Sequence, residues 1–149
     1  MKNAPVLDTQ ALSLLAEELG DPVMLRDFLG RYTAMLQGRI NRVECALQTQ
    51  DPEDWMDALL SLKTSSELAC AAKLSRLAHL LQVTYESTPC FDVGTSRGLT
   101  TLGQLMHCLL SVGSQTRQEF ALLLGELGPG PARTAEDPQL PRVTRAGVR

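Results

Sequence analysis

Aromatic side chains are scarce: one Trp, two Tyr and three Phe, 4% of 149 residues. The 44% hydrophobic share is carried mainly by Leu, Ala and Met. Unbranched side chains lose little rotamer freedom in a helix, so this composition favours helices over strands. No run approaches the roughly 18 consecutive apolar residues that span a bilayer, which excludes a transmembrane helix and a membrane partner. The opening MKNAPVLDTQ lacks the basic start and apolar stretch of a secretory signal, so the expected compartment is the cytoplasm. Histidine is also scarce. His79 and His107 have no histidine or carboxylate four residues away, and Cys45, Cys70, Cys90 and Cys108 form no CxxC pair. No metal site, and no cofactor, is therefore expected. Cys45, Cys70 and Cys108 fall inside helical patterns, where a reduced thiol behaves as a small core residue.

Clustered basic charge is missing too. The net charge is −3, with fourteen Lys and Arg against seventeen Asp and Glu. Residues 1–127 hold ten basic and fifteen acidic side chains, 10 − 15 = −5, and the remaining tail is 4 − 2 = +2. An acidic body argues against nucleic acid as a partner, because phosphate contacts need grouped Lys and Arg. The length suits one domain.

What is present is helix punctuation. Asp8 precedes TQALSLLAEEL, a short amphipathic piece closed by Gly20; Asp21-Pro22 then opens a segment to about Gln48, an N-cap followed by a first-turn proline. Its apolar positions Leu25, Phe28, Tyr32, Met35, Arg39/Ile40, Val43 and Leu47 recur three or four apart. Asp51-Pro52-Glu53-Asp54 opens a third helix in the same way, with Trp55, Leu59, Leu62, Ser66 and Ala69 as its core stripe. A fourth segment, about Ala72 to Glu86, offers Leu74, Leu77, Ala78, Leu81 and Tyr85. STPCFDVGTS reads as a loop. A fifth helix is predicted from near Arg97, with the stripe Leu99, Leu102, Met106, Leu109, Gly113, Thr116, Phe120, Leu123 and Leu127. These elements predict an all-α antiparallel four-helix bundle over 1–127 with a short N-terminal cap helix. Residues 128–149, rich in Pro, Gly and Arg, are expected to be a disordered tail.

The informative stretch is the third-helix region DALLSLKTSSELACAAKLSRL, from Asp57 to Leu77. Leu60 follows Leu59 by about 100° on a helical wheel, off the core stripe. Met56, Leu60, Lys63, Thr64 and Glu67 then line one outer surface, an apolar centre with a charged rim that suits partner binding. The plainer reading is scatter, since single exposed leucines are common.

Ala58-Leu59-Leu60-Ser61-Leu62-Lys63-Thr64-Ser65-Ser66, then Cys70, then Leu74 and Leu77, resembles the pattern of histidine-containing phosphotransfer (HPt) domains, A-x-H-x-L-K-G-[SA]-[SA], a glycine, and L-x-x-L. The preceding helix and turn, LGDPVMLRDFLGRYTAMLQGRINRVECALQTQDPEDW, are similar as well, so the resemblance covers about Leu7 to Gln82. It implies a four-helix bundle in a two-component phosphorelay, with receiver domains or hybrid sensor kinases as partners. The departures are chemical. Leu60 stands where the family has its phosphoacceptor histidine, and leucine has no nitrogen to attack a phosphoaspartate. Thr64 and Cys70 stand at two family glycines, while Lys63 keeps the family's cation.

The resemblance therefore implies a monomeric pseudo-phosphotransfer adaptor or competitor that binds receivers without carrying phosphate, and not an enzyme. No Ser-His-Asp, Cys-His, paired-carboxylate or phosphate-loop constellation can be assembled. Ser65 and Ser66 are read as small packing residues, and His79 and His107 as half-buried helix histidines. Two alternatives remain. One is phosphotransfer through His79 or His107 beside Lys63 or Lys73. The other is a structural bundle that self-associates along the Leu99–Leu127 stripe.

Overall fold

The computed structural model describes residues 5–95 and 98–127. The expected tail, 128–149, lies outside them. The described chain is all-α: α1 (Thr9–Leu19), α2 (Pro22–Thr49), α3 (Pro52–Leu68), α4 (Ala72–Ser87) and α5 (Thr101–Leu127). Among the described residues the only β pairing is an isolated bridge between Gly94 and Leu99. No helix among them is long and apolar enough to cross a membrane.

The expected caps form. The Asp8 carboxylate accepts from the Ala11 N–H at 3.0 Å, Asp21 from Val23 at 2.9 Å and Asp51 from Asp54 at 3.2 Å. Each satisfies an N–H that the first helical turn leaves unpaired. Gly20 closes α1 at φ 70. Gln50 closes α2 in the same left-handed region, at φ 57, without the glycine that would have marked the stop in the sequence.

α2 packs on α3, α3 on α4, α4 on α5 and α5 back on α2, while α1 lies on α2. Side-chain partners fix the directions. Along α2, Tyr32 meets Ser66 and Arg42 meets Asp54, so α3 runs antiparallel to it. Tyr32 also meets Phe120, and Gly113 faces Ile40, so α5 does the same. The core stripes of α3 and α4 fall where the spacing puts them, with Tyr85 only half-buried. On α2 the stripe is shifted: Leu29, Leu36 and Ala46 are buried, whereas Phe28 and Leu47 are half-buried and Met35 is 53% exposed. Contact with three neighbouring helices widens the buried face and turns it by about one residue.

The region Asp57–Leu77 spans the end of α3 at Leu68, a turn at Cys70 with φ 63, and the start of α4, which begins at Ala72 as expected. One boundary differs from expectation. α5 starts at Thr101, not near Arg97. Thr100 caps it, its hydroxyl accepting from the Gly103 N–H at 3.1 Å and donating to the Asp92 carbonyl at 2.6 Å. The bridge between Gly94, at φ 88, and Leu99 holds Leu99 outside the helix.

One buried side-chain pair in the core is Tyr32 Oη with Ser66 Oγ, 2.7 Å apart. Burial pushes the Tyr32 phenol up to about 12, while the bond to Ser66 and nearby Arg39 pull the other way. Unfolded, the phenol ionises near 10, so above that pH the native state holds the proton more tightly than the unfolded chain does. The contribution of this phenol to stability is fully present below about pH 10 and is expected to fall by about 2–3 kcal/mol as pH rises to about 12. Denaturant melts across that range, with Tyr32→Phe for comparison, check this: the variant should lose this part of the alkaline decline.

Candidate functional site: the outer face of α3

α3 is buried along one side and open along the other. Trp55, Leu59, Leu62 and Ser66 have no exposed surface, whereas Leu60 is 51% exposed. A residue one position after Leu59 is rotated by about 100°, which takes Leu60 out of the core. Thr64 and Glu67 are exposed on the same face; Lys63 is half-buried, and Met56 is half-buried against the core. The five residues expected to form one surface therefore share a face, but Met56 sits at its edge. The second exposed apolar side chain is Leu68, 62% exposed and two turns after Leu60, with Thr64 between them.

A groove of about 480 Å³ runs beside this face, between α3, α4 and the start of α1. Lys63 and Glu67 enter it from α3, and Ser75, Arg76 and His79 from α4. Asp8 and Cys70 close one end, where the Asp8 N–H donates to the Cys70 carbonyl at 2.8 Å. This bond ties α1 to the α3–α4 turn. Burial, and secondarily the Asp8 carboxylate, push the Cys70 thiol up, which keeps it protonated and a poor nucleophile.

Several expectations are corrected. His79 and His107 are both exposed, because each lies on the outer side of its helix. Cys45, Cys90 and Cys108 are exposed free thiols, and only Cys70 is buried. Ser66 is a core hydrogen-bonding residue, and the Ser65 hydroxyl donates to its own helix, to the Leu62 carbonyl. No cluster of three metal-ligating side chains occurs among the described residues. The α5 stripe is not a free seam: Leu102, Met106, Leu109, Thr116 and Phe120 are buried within the chain, and Leu99 is 45% exposed. The side chain of Leu127 lies outside the description.

No family model matches this chain, and no match is found among curated proteins or solved structures. The functional reading rests on the residues themselves.

The rotation of α3 gives a direct expectation for stability. Leu60→Arg places a charge on an open face and should change the unfolding free energy by no more than about 0.5 kcal/mol. Thermal melts and helicity of the variant check it; a loss of several kcal/mol would make Leu60 a core residue.

Proposed function

We propose that the chain is a phosphate-free docking module, an HPt-like antiparallel four-helix bundle of α2 to α5 with α1 as its cap, which binds receiver domains through the outer face of α3. The closed ring of contacts among α2, α3, α4 and α5 supports the bundle reading. The observation that carries the functional one is the half-exposed Leu60 at the centre of that face. A leucine there costs solvation and adds nothing to the core, yet it supplies an apolar centre for a partner, with Lys63, Thr64 and Glu67 around it. The left-handed backbone at Cys70 is a second support, since this is the position of a family glycine and φ 63 is a conformation glycine adopts without strain.

On this reading the protein works by occupancy. Leu60 offers no nitrogen to a phosphoaspartate, so the complex holds a receiver without discharging it, as a competitor or a scaffold. The test is binding to purified receiver domains with no phosphodonor present, using calorimetry, with Leu60→Arg alongside. Binding lost in the folded variant supports the proposal; equal binding by both proteins contradicts it.

The groove favours one second reading. His79 is exposed and shares it with Lys63 and Arg76, so an imidazole and two cations lie in one cleft, together with the carboxylates of Asp8 and Glu67. In phosphotransfer there, an imidazole nitrogen of His79 would attack the phosphorus of an aspartyl phosphate. The N–P bond forms as the O–P bond breaks, and the carboxylate leaves. Acid-labile radiolabel appearing on the chain from a phosphorylated receiver, and absent from His79→Gln, would favour this reading over the first.

A further inference from the structure

α1, the first half of α2 and the end of α3 enclose a second groove, of about 460 Å³. Leu15 and Leu19 of α1, Met24 and Phe28 of α2, and Leu68 of α3 give it apolar walls. Met24 and Leu68 are more than half exposed, at 51% and 62%. Only two charges enter the groove, Asp27 and Arg31, one helical turn apart on α2. They stand in the orientation that favours an ion pair along a helix, yet the only ion pair among the described residues is Arg42 with Asp54. Both are exposed. The groove thus carries one carboxylate and one guanidinium that form no ion pair among the described residues.

We infer that this groove is a self-association surface, covered by the same groove of a second copy. A two-fold interface must be complementary to itself. An axis crossing α2 between Asp27 and Arg31 brings each Asp27 opposite the Arg31 of the other copy, so two ion pairs form from one operation. The same operation lays each copy's apolar walls, Met24, Phe28 and Leu68, over the other copy's groove and removes them from water. A net-neutral groove gives no preference to a strongly acidic or strongly basic partner, whereas its own two-fold image answers both charges. The inference uses none of Met56, Leu60, Lys63, Thr64 or Glu67, so it stands or falls separately from receiver docking. The monomer expected from the sequence becomes the dilute state of an equilibrium.

Sedimentation velocity of the full chain, from low micromolar to near millimolar concentration, tests it. The wild type should shift from monomer to dimer as concentration rises. Arg31→Asp and Asp27→Arg, each of which sets like charges across the axis, should each weaken dimerisation about tenfold or more. Mixed together, the two single variants should form a heterodimer, and the double variant D27R/R31D should dimerise like the wild type. Both positions are exposed, so at concentrations where every protein is monomeric the melting temperatures of the variants should stay at the wild-type value. A wild type that remains monomeric throughout would overturn the inference. So would a dimer indifferent to the single substitutions, or a mixture of the two that stays monomeric.

Discussion

Trp55→Ala is expected to destabilise the protein by about 3–5 kcal/mol, the range for truncating a large buried aromatic. Trp55 has no exposed surface and is the largest side chain in the core. It also joins three parts of the chain. Its ring meets Phe91 edge-on at 5.6 Å and Tyr85 at 6.2 Å, and Tyr85 stacks on Phe91 at 4.7 Å. Phe91 lies in the connection between α4 and α5. Removing the indole therefore opens a cavity in α3 and frees the aromatic anchor of that connection. Trp55→Phe should cost less than the alanine variant. It keeps a ring and removes the indole N–H, which is buried without a hydrogen-bond partner among the described residues, an arrangement that costs about 1–3 kcal/mol. Chemical denaturation of the three proteins measures this order; an alanine variant as stable as the wild type would mean that Trp55 is not a core residue.

Leu62→Ala is the second large effect. Leu62 is two residues from Leu60 but fully buried, and its truncation should cost about 2–5 kcal/mol, a transfer loss plus the cavity left behind. The contrast with a silent Leu60→Arg fixes the rotation of α3 about its axis, on which the whole docking surface depends. Equal losses at both positions would mean that both side chains are buried. A silent Leu62 and a costly Leu60 would mean that the helix is turned by about half a revolution.

Much of this was legible in the sequence, for identifiable reasons. Aspartate caps followed by proline set the starts of α2 and α3, because both residues act within one turn and need no tertiary partner. The core stripes of α3 and α4 followed from apolar residues recurring three or four apart along one helical face. The α2 stripe was harder: Phe28 and Leu29, and Met35 and Leu36, are adjacent apolar pairs, and only the positions of α1, α3 and α5 decide which of each pair is buried. The start of α5 was missed because Thr100 caps it through Asp92, eight residues earlier, a contact that no local pattern displays.

On the candidate site, the face containing Leu60 was legible from the wheel, while the groove beside it was not. Lys63, His79 and Asp8 come together across three helices, and their sequence separations carry no sign of it. Exposure of His79 depends likewise on α4 being covered on one side only. The left-handed turn at Cys70 was visible only as a family glycine position, since cysteine itself gives no hint of φ 63.

The central claim is that a receiver domain docks on the outer face of α3 without phosphate. The most direct measurement is a titration of the isotopically labelled protein with an unphosphorylated receiver domain, followed through backbone amide resonances. The account predicts shifts concentrated at Met56, Leu60, Lys63, Thr64 and Glu67, saturable and absent in Leu60→Arg. Resonances unmoved by every receiver domain of the host, or shifts confined to α4 and α5, would contradict it.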